Sequence, residues 1–112
     1  MAGINIEGPG KVLRIYIGES DKWGHKPLYQ AIVELVRAKG MAGATVTRGI
    51  EGFGARSRIH TARVLRLSED LPLIVDIVDK GERVDALLPE LEQMVSDGLI
   101  TVNDVYITKY SP

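Results

Sequence analysis

A chain of 112 residues is most naturally one domain, and it can bury roughly 65% of the surface that it exposes when unfolded, enough for a core without covalent staples. Apolar residues make up 45% and charged residues 26%, with a formal net charge of -1, so there is no global attraction for nucleic acid or an anionic membrane. Cysteine is absent, which excludes disulfides, thiolate metal sites and cysteine nucleophiles and makes a reducing cytoplasm the expected location.

The opening MAGINIEGPGK has neither the basic nor the apolar region of a secretory signal, and residues 1–11 are expected to form an N-terminal extension to a single domain over 12–110. VLRIYIG at 12–18 alternates, with Leu13, Ile15 and Ile17 on one face and Val12, Arg14 and Tyr16 on the other, which predicts a strand. After ESDKWGHK, Pro27 suits a first helical turn. Leu28, Ala31, Ile32, Leu35 and Val36 then recur at helical spacing, predicting a helix over 26–39 that Gly40 ends.

AGATVTR at 42–48 and LPLIVDIV at 71–78 have the β-branched character of a second and a third strand. The latter is the most hydrophobic stretch, yet it is short and interrupted by Asp76, so no membrane insertion is expected. Val84, Leu87, Leu88, Leu91, Met94 and Val95 repeat the helical spacing, Gly98 is a plausible stop, and VNDVYITKY at 102–110 reads as a fourth strand. The order βαββαβ predicts an α+β, ferredoxin-like fold: a four-stranded antiparallel sheet with two helices on one face. The other face would present Val12, Arg14, Tyr16, Ile74 and Val78. That is more apolar than a fully wetted sheet, so burial against other subunits is expected.

Between the second and third strands lies RGIEGFGARSRIHTARVLR, about twenty residues where a short hairpin would serve. Gly49, Gly52 and Gly54 let a ligand approach the main chain. Arg48, Arg56, Arg58, Arg63 and Arg66 supply forked donors suited to phosphate or carboxylate, against one acid, Glu51. The pattern is neither a P-loop nor a dinucleotide fingerprint, and a polar hairpin with solvated arginines is the competing reading.

These residues carry a family resemblance. GMAGATVTRGIEGFGARSRIHTARVL, continuing to EDLPLIVDIVD, resembles the PII signalling proteins. RIYIGESDKW with GFGARSRIHTARVLRLSEDLP is closer still to the PII-like family called domain of unknown function 190, over residues 12–110. The resemblance implies a trimer whose long connection corresponds to the mobile T-loop of PII. It implies a small anionic ligand, an adenine nucleotide being the candidate, in clefts between subunits, and action on a transporter or enzyme target through the loop.

By motif, Gly52, Phe53 and Gly54 match the G-F-G at the loop base, Arg56 and Arg58 stand where they could reach an anion, and His60 with Thr61 match the histidine-threonine pair. Arg63 and Arg66 lie further along the partner-facing arm. The chain departs from PII near its C-terminus, where SDGLITVNDVYI lacks the lysine-bearing, glycine-rich loop that grips phosphates.

No enzyme is expected. Glu51, Glu69 and Asp70 have no companion group placed by sequence, no serine stands in a nucleophile elbow, and His60 has only His25 as a fellow histidine, at no metal-ligand spacing. Trp23 and His25 read as packing residues, with Trp23 able to serve an interface, and Ser20 or Asp21 as partners of loop or helix-end amides. The expectation is therefore a cytoplasmic PII-like regulator that requires no cofactor and recognises no specific nucleic acid. A partner-binding module without small ligand, or a metal-binding protein of the CutA type, stands as the alternative.

Overall fold

The computed structural model describes residues 5–53, 59–61 and 71–112, with backbone alone at 53 and 59–61. Strand β1 (Ile6–Gly18) is followed by the short pair β2 (Lys22–Trp23) and β3 (Lys26–Pro27), then helix α1 (Leu28–Ala38) and β4 (Ala44–Arg48). A second short pair, β5 (Glu51–Phe53) and β6 (Ile59–Thr61), lies within the long connection. Strand β7 (Pro72–Asp79), helix α2 (Gly81–Met94) and strand β8 (Leu99–Tyr110) complete the order.

The four long strands form one sheet in the order β4-β7-β1-β8, with each adjacent pair antiparallel. This is the ferredoxin-like α+β fold. Alternation within the strands decides which side chains meet the helices: Leu13, Ile15 and Ile17 of β1 and Leu73, Val75 and Ile77 of β7 all point to one face. There they join Leu28, Ile32 and Val36 of α1 and Val84, Leu87 and Leu91 of α2 in a single buried cluster. Each such side chain is worth about 1.5–3 kcal/mol of burial.

Helix α1 stops where its sequence predicts. Gly40 adopts φ +70°, and the amides of Gly40 and Met41 turn back to the carbonyls of Arg37 and Val36 at 3.0 and 3.2 Å, the left-handed cap that glycine favours. Pro89 lies inside α2, where it removes the amide that would have bonded the carbonyl of Asp85.

The first strand is longer than its alternation predicts, because IEGPGK reads as turn chemistry yet is paired. Residues 6–10 bond only to β8, while pairing with β7 begins at Lys11, so Pro9 sits where the sheet has one neighbour and its missing amide costs no second ladder. A register shift falls between Ile6 and Gly8, and Gly8 takes φ +115°.

Where β7 turns into α2, Asp79 is the one buried charged residue among those described, its side chain 1% exposed. It accepts from the amides of Ala42 (2.8 Å) and Lys80 (2.7 Å) and from Nε of Arg83 (3.2 Å). Arg83 also donates to the carbonyl of Gly40 at 2.8 Å. One carboxylate thus joins the end of α1, the approach to β4 and the start of α2, with its charge met on every side.

Candidate functional site

The site begins at the two roots of the long connection. Arg48 ends β4 opposite Leu73, and the Gly49 amide donates to the carbonyl of Pro72 at 2.7 Å. A Cβ on Gly49 would stand 2.9 Å from Cγ of Pro72, so close approach, rather than a left-handed backbone, is what asks for glycine there. Gly52 also lacks a positive φ, and a Cβ on it would make only ordinary contact with Pro72, at 3.5 Å. At neither position does the fold use a left-handed backbone.

Beyond the roots, part of the expected loop is a ladder. Glu51 pairs with Thr61, Gly52 with His60, and Phe53 with Ile59. Four of the residues singled out by motif, Gly52, Phe53, His60 and Thr61, are therefore brought to facing positions on one hairpin. Gly54, Arg56, Arg58, Arg63 and Arg66 lie outside the described residues, as do Glu69 and Asp70.

Sequence reasoning passed over Glu19. Its carboxylate is paired with the Arg48 guanidinium, and its backbone amide donates to the carbonyl of Leu71 at 2.8 Å. One residue therefore touches both roots. The bend that carries it is set by Asp21, whose Oδ2 accepts from the Gly18 amide at 2.9 Å and whose carbonyl accepts from Leu28 at 2.8 Å, the amide-satisfying role expected of this segment. Nothing local in the sequence signals Glu19, because Arg48 lies 29 positions away.

The sheet face away from the helices carries the predicted Val12, Arg14, Tyr16, Ile74 and Val78, in the register Val12 to Val78, Arg14 to Asp76 and Tyr16 to Ile74. At its centre Nε of Arg14 donates to Asp76 at 2.6 Å, with a longer second contact of 3.3 Å. The Asp76 hydrogen bond, followed by one to Tyr16, pushes the guanidinium pKa above its ordinary value.

Outside the helices, Trp23 is 46% exposed and borders an open groove of about 520 Å³ with Ala31, Leu35 and Met94 for its apolar lining. Lys26 donates to Glu34 at 2.6 Å on its rim. That bond, with a second from Gln30, holds the Glu34 carboxyl below its ordinary value. His25 is exposed beside it.

A Cβ on Gly98 would fall 2.6 Å from the Tyr16 carbonyl, so this glycine is used for packing against β1. Among the described residues no group of three or more His, Cys, Asp or Glu could hold a metal ion, and no helix is long and apolar enough to cross a membrane.

Comparison with solved structures identifies the architecture. CPII, a nitrogen regulatory PII-like protein from Thiomonas intermedia K12 whose structure was determined bound to ADP, AMP and bicarbonate, superposes with a TM-score of 0.67 over 99% of this chain and 94% of its own, at 18% identity. The fold is that of a PII-like protein. The family model DUF190, described as Uncharacterized ACR, COG1993, matches residues 10–107, and the chain belongs to that family. Relatives include a UPF0166 protein of Methanocaldococcus jannaschii, 36% identical over 100 residues (88% of this chain, 92% of the relative), and one of Aquifex aeolicus, 35% identical over 97 residues (87% and 91%).

Proposed function

We propose that this protein is a PII-like regulator: a cytoplasmic, non-enzymatic trimer that binds a small anionic ligand, an adenine nucleotide, between subunits and acts on a transporter or enzyme through the 49–70 connection. The likeness to CPII along nearly the whole chain carries the reading, since that structure holds two adenine nucleotides and a small anion. Support also comes from the partly apolar sheet face, which suits burial by neighbouring subunits, and from the hairpin that aligns Gly52 and Phe53 with His60 and Ile59.

In this reading Gly52, Phe53 and Gly54 shape the ligand site, Arg56 and Arg58 neutralise its charge, and His60, Thr61, Arg63 and Arg66 meet the target. Signalling requires the ligand to favour one arrangement of the connection over another, because equal affinity for both shifts no population. Native mass spectrometry of the untreated protein tests assembly and ligand together: a trimer that carries or accepts ADP is expected, and a monomer that accepts none contradicts the proposal. In the double variant Arg56→Ala, Arg58→Ala, calorimetry should show weakened ADP binding with trimer stability retained. Loss of both would assign these arginines to structure.

The exposed Trp23 beside its groove favours a second reading, a module that engages a protein directly without a small ligand. Absence of any ADP heat, together with target binding that Trp23→Ala abolishes, would select it.

A further inference from the structure

Two ends of a long connection have to be held at a fixed separation if events in it are to be transmitted to the sheet. Here, beyond the end of the β4–β7 ladder at Arg48 and Leu73, the roots are joined by three contacts: Gly49 amide to Pro72 carbonyl, Glu19 amide to Leu71 carbonyl, and Glu19 carboxylate to Arg48 guanidinium. The first two join backbone to backbone and need no side-chain partner. The third is different in kind, because it is an ion pair between groups that water reaches, with Arg48 60% and Glu19 26% exposed. Exposed pairs contribute little net stability, since each partner is also well solvated alone, and another anion can exchange for the carboxylate at small cost.

We infer that Glu19 is an internal anion occupying Arg48, so that an incoming anionic ligand competes with it and loosens the β4 root at Gly49 while the Leu71 root stays bonded to the Glu19 backbone. The chemistry of the exchange is simple. A guanidinium presents its forked donors equally well to carboxylate and to phosphate, so a ligand phosphate or carboxylate can replace Glu19 donor for donor. No bond is made or broken beyond these hydrogen bonds.

Position gives the exchange a direction. Arg48 is the last residue of β4, and the next amide, Gly49, is the one bonded to Pro72, so turning Arg48 away from Glu19 pulls on that bond first. Glu19 continues into the Asp21 bend and the β2–β3 pair, which carries Trp23. Release at Arg48 therefore also unloads the segment that borders the outer groove.

The ligand in this inference rests on the nucleotide reading above, and the test separates the two. Glu19→Gln keeps the backbone amide and the shape while removing the charge. Hydrogen exchange at the Gly49 amide should be faster in this variant than in the parent, with exchange at residue 19 unchanged. Calorimetry with ADP should show binding tightened about two- to fivefold, the range that an exposed ion pair spans. Arg48→Gln should speed Gly49 exchange in the same way and weaken ADP binding.

Unchanged exchange at Gly49 in Glu19→Gln overturns the clamp. Faster exchange with ADP bound equally or less tightly overturns the competition. If parent and variant both fail to bind ADP, the nucleotide reading falls, and the exchange measurement alone then decides for or against the clamp.

Discussion

Two acidic residues each join separate chain segments at separate places on the fold, and their surroundings make them different devices. Asp79 is enclosed, its side chain 1% exposed, and is met by two amides and a guanidinium; Glu19 is 26% exposed and is met by a single exposed arginine. Burial converts the first into a fixed joint, because removing one of its partners leaves an enclosed carboxylate charge short of compensation. Exposure leaves the second exchangeable. The same side-chain chemistry thus builds a hinge-pin in one region and a releasable contact in the other, and water is what separates them.

The comparison breaks most visibly at Asp79. Asp79→Ala removes the acceptor of the Ala42 and Lys80 amides and of Nε of Arg83, and a loss of about 3 kcal/mol is expected in urea denaturation. A loss below about 1 kcal/mol would mean that water satisfies those groups and that the two regions do not differ as described. Glycine substitutions give the next step. In Gly10→Ala the new Cβ would lie 2.8 Å from the Asp79 carbonyl and 2.6 Å from Ile107, and a cost of about 2 kcal/mol is expected; Gly49→Ala meets the Pro72 ring at 2.9 Å and should cost about 1 kcal/mol. The reverse ranking would place the tighter packing at the connection instead.

Smaller still is Glu19→Gln, which should change unfolding stability by less than about 1 kcal/mol even as it alters local exchange. The smallest effect belongs to the half-exposed pair of Lys26 and Glu34. Because the carboxyl is held below its ordinary value of 4.5, its contribution exists above that pH and disappears as pH falls through the lowered folded-state value. The stability difference between the parent and Lys26→Met should accordingly be present at neutral pH and vanish in acid. Persistence in acid would mean that the lysine stem, rather than its charge, is what packs.

The frame of the fold was legible because both of its signals are local. Leu13, Ile15 and Ile17 alternate at period two, and Leu28, Ala31, Ile32, Leu35 and Val36 fall on one helical stripe, so a short window suffices for each. Gly8, Pro9 and Gly10 misled for an equally physical reason: turn residues extend a strand when only one neighbour is present and a bulge needs a left-handed backbone. Pairing of Glu51–Phe53 with Ile59–Thr61 was hidden by the glycines around it.

For the candidate site, the motif around Gly52, Phe53, His60 and Thr61 could be read, and their mutual register could not. The roles of Asp79 and Glu19 were out of reach, since their partners Ala42 and Arg48 lie 37 and 29 positions away and no periodicity links them. Gly98 shows the same limit, for a helix stop and a packing contact with Tyr16 look alike in sequence.

The pairing of Arg14 with Asp76 in the middle of a partly apolar sheet surface has a consequence for whatever comes to lie over it. Hydrocarbon alone would strip solvation from both charges without replacing it, so a covering layer has to bring dipoles to one defined spot. A cap sliding by a residue in either direction would miss that spot. Were a neighbouring subunit to cover this face, the ion pair would act as an alignment key, rewarding one docking orientation over the many that apolar contact by itself would tolerate.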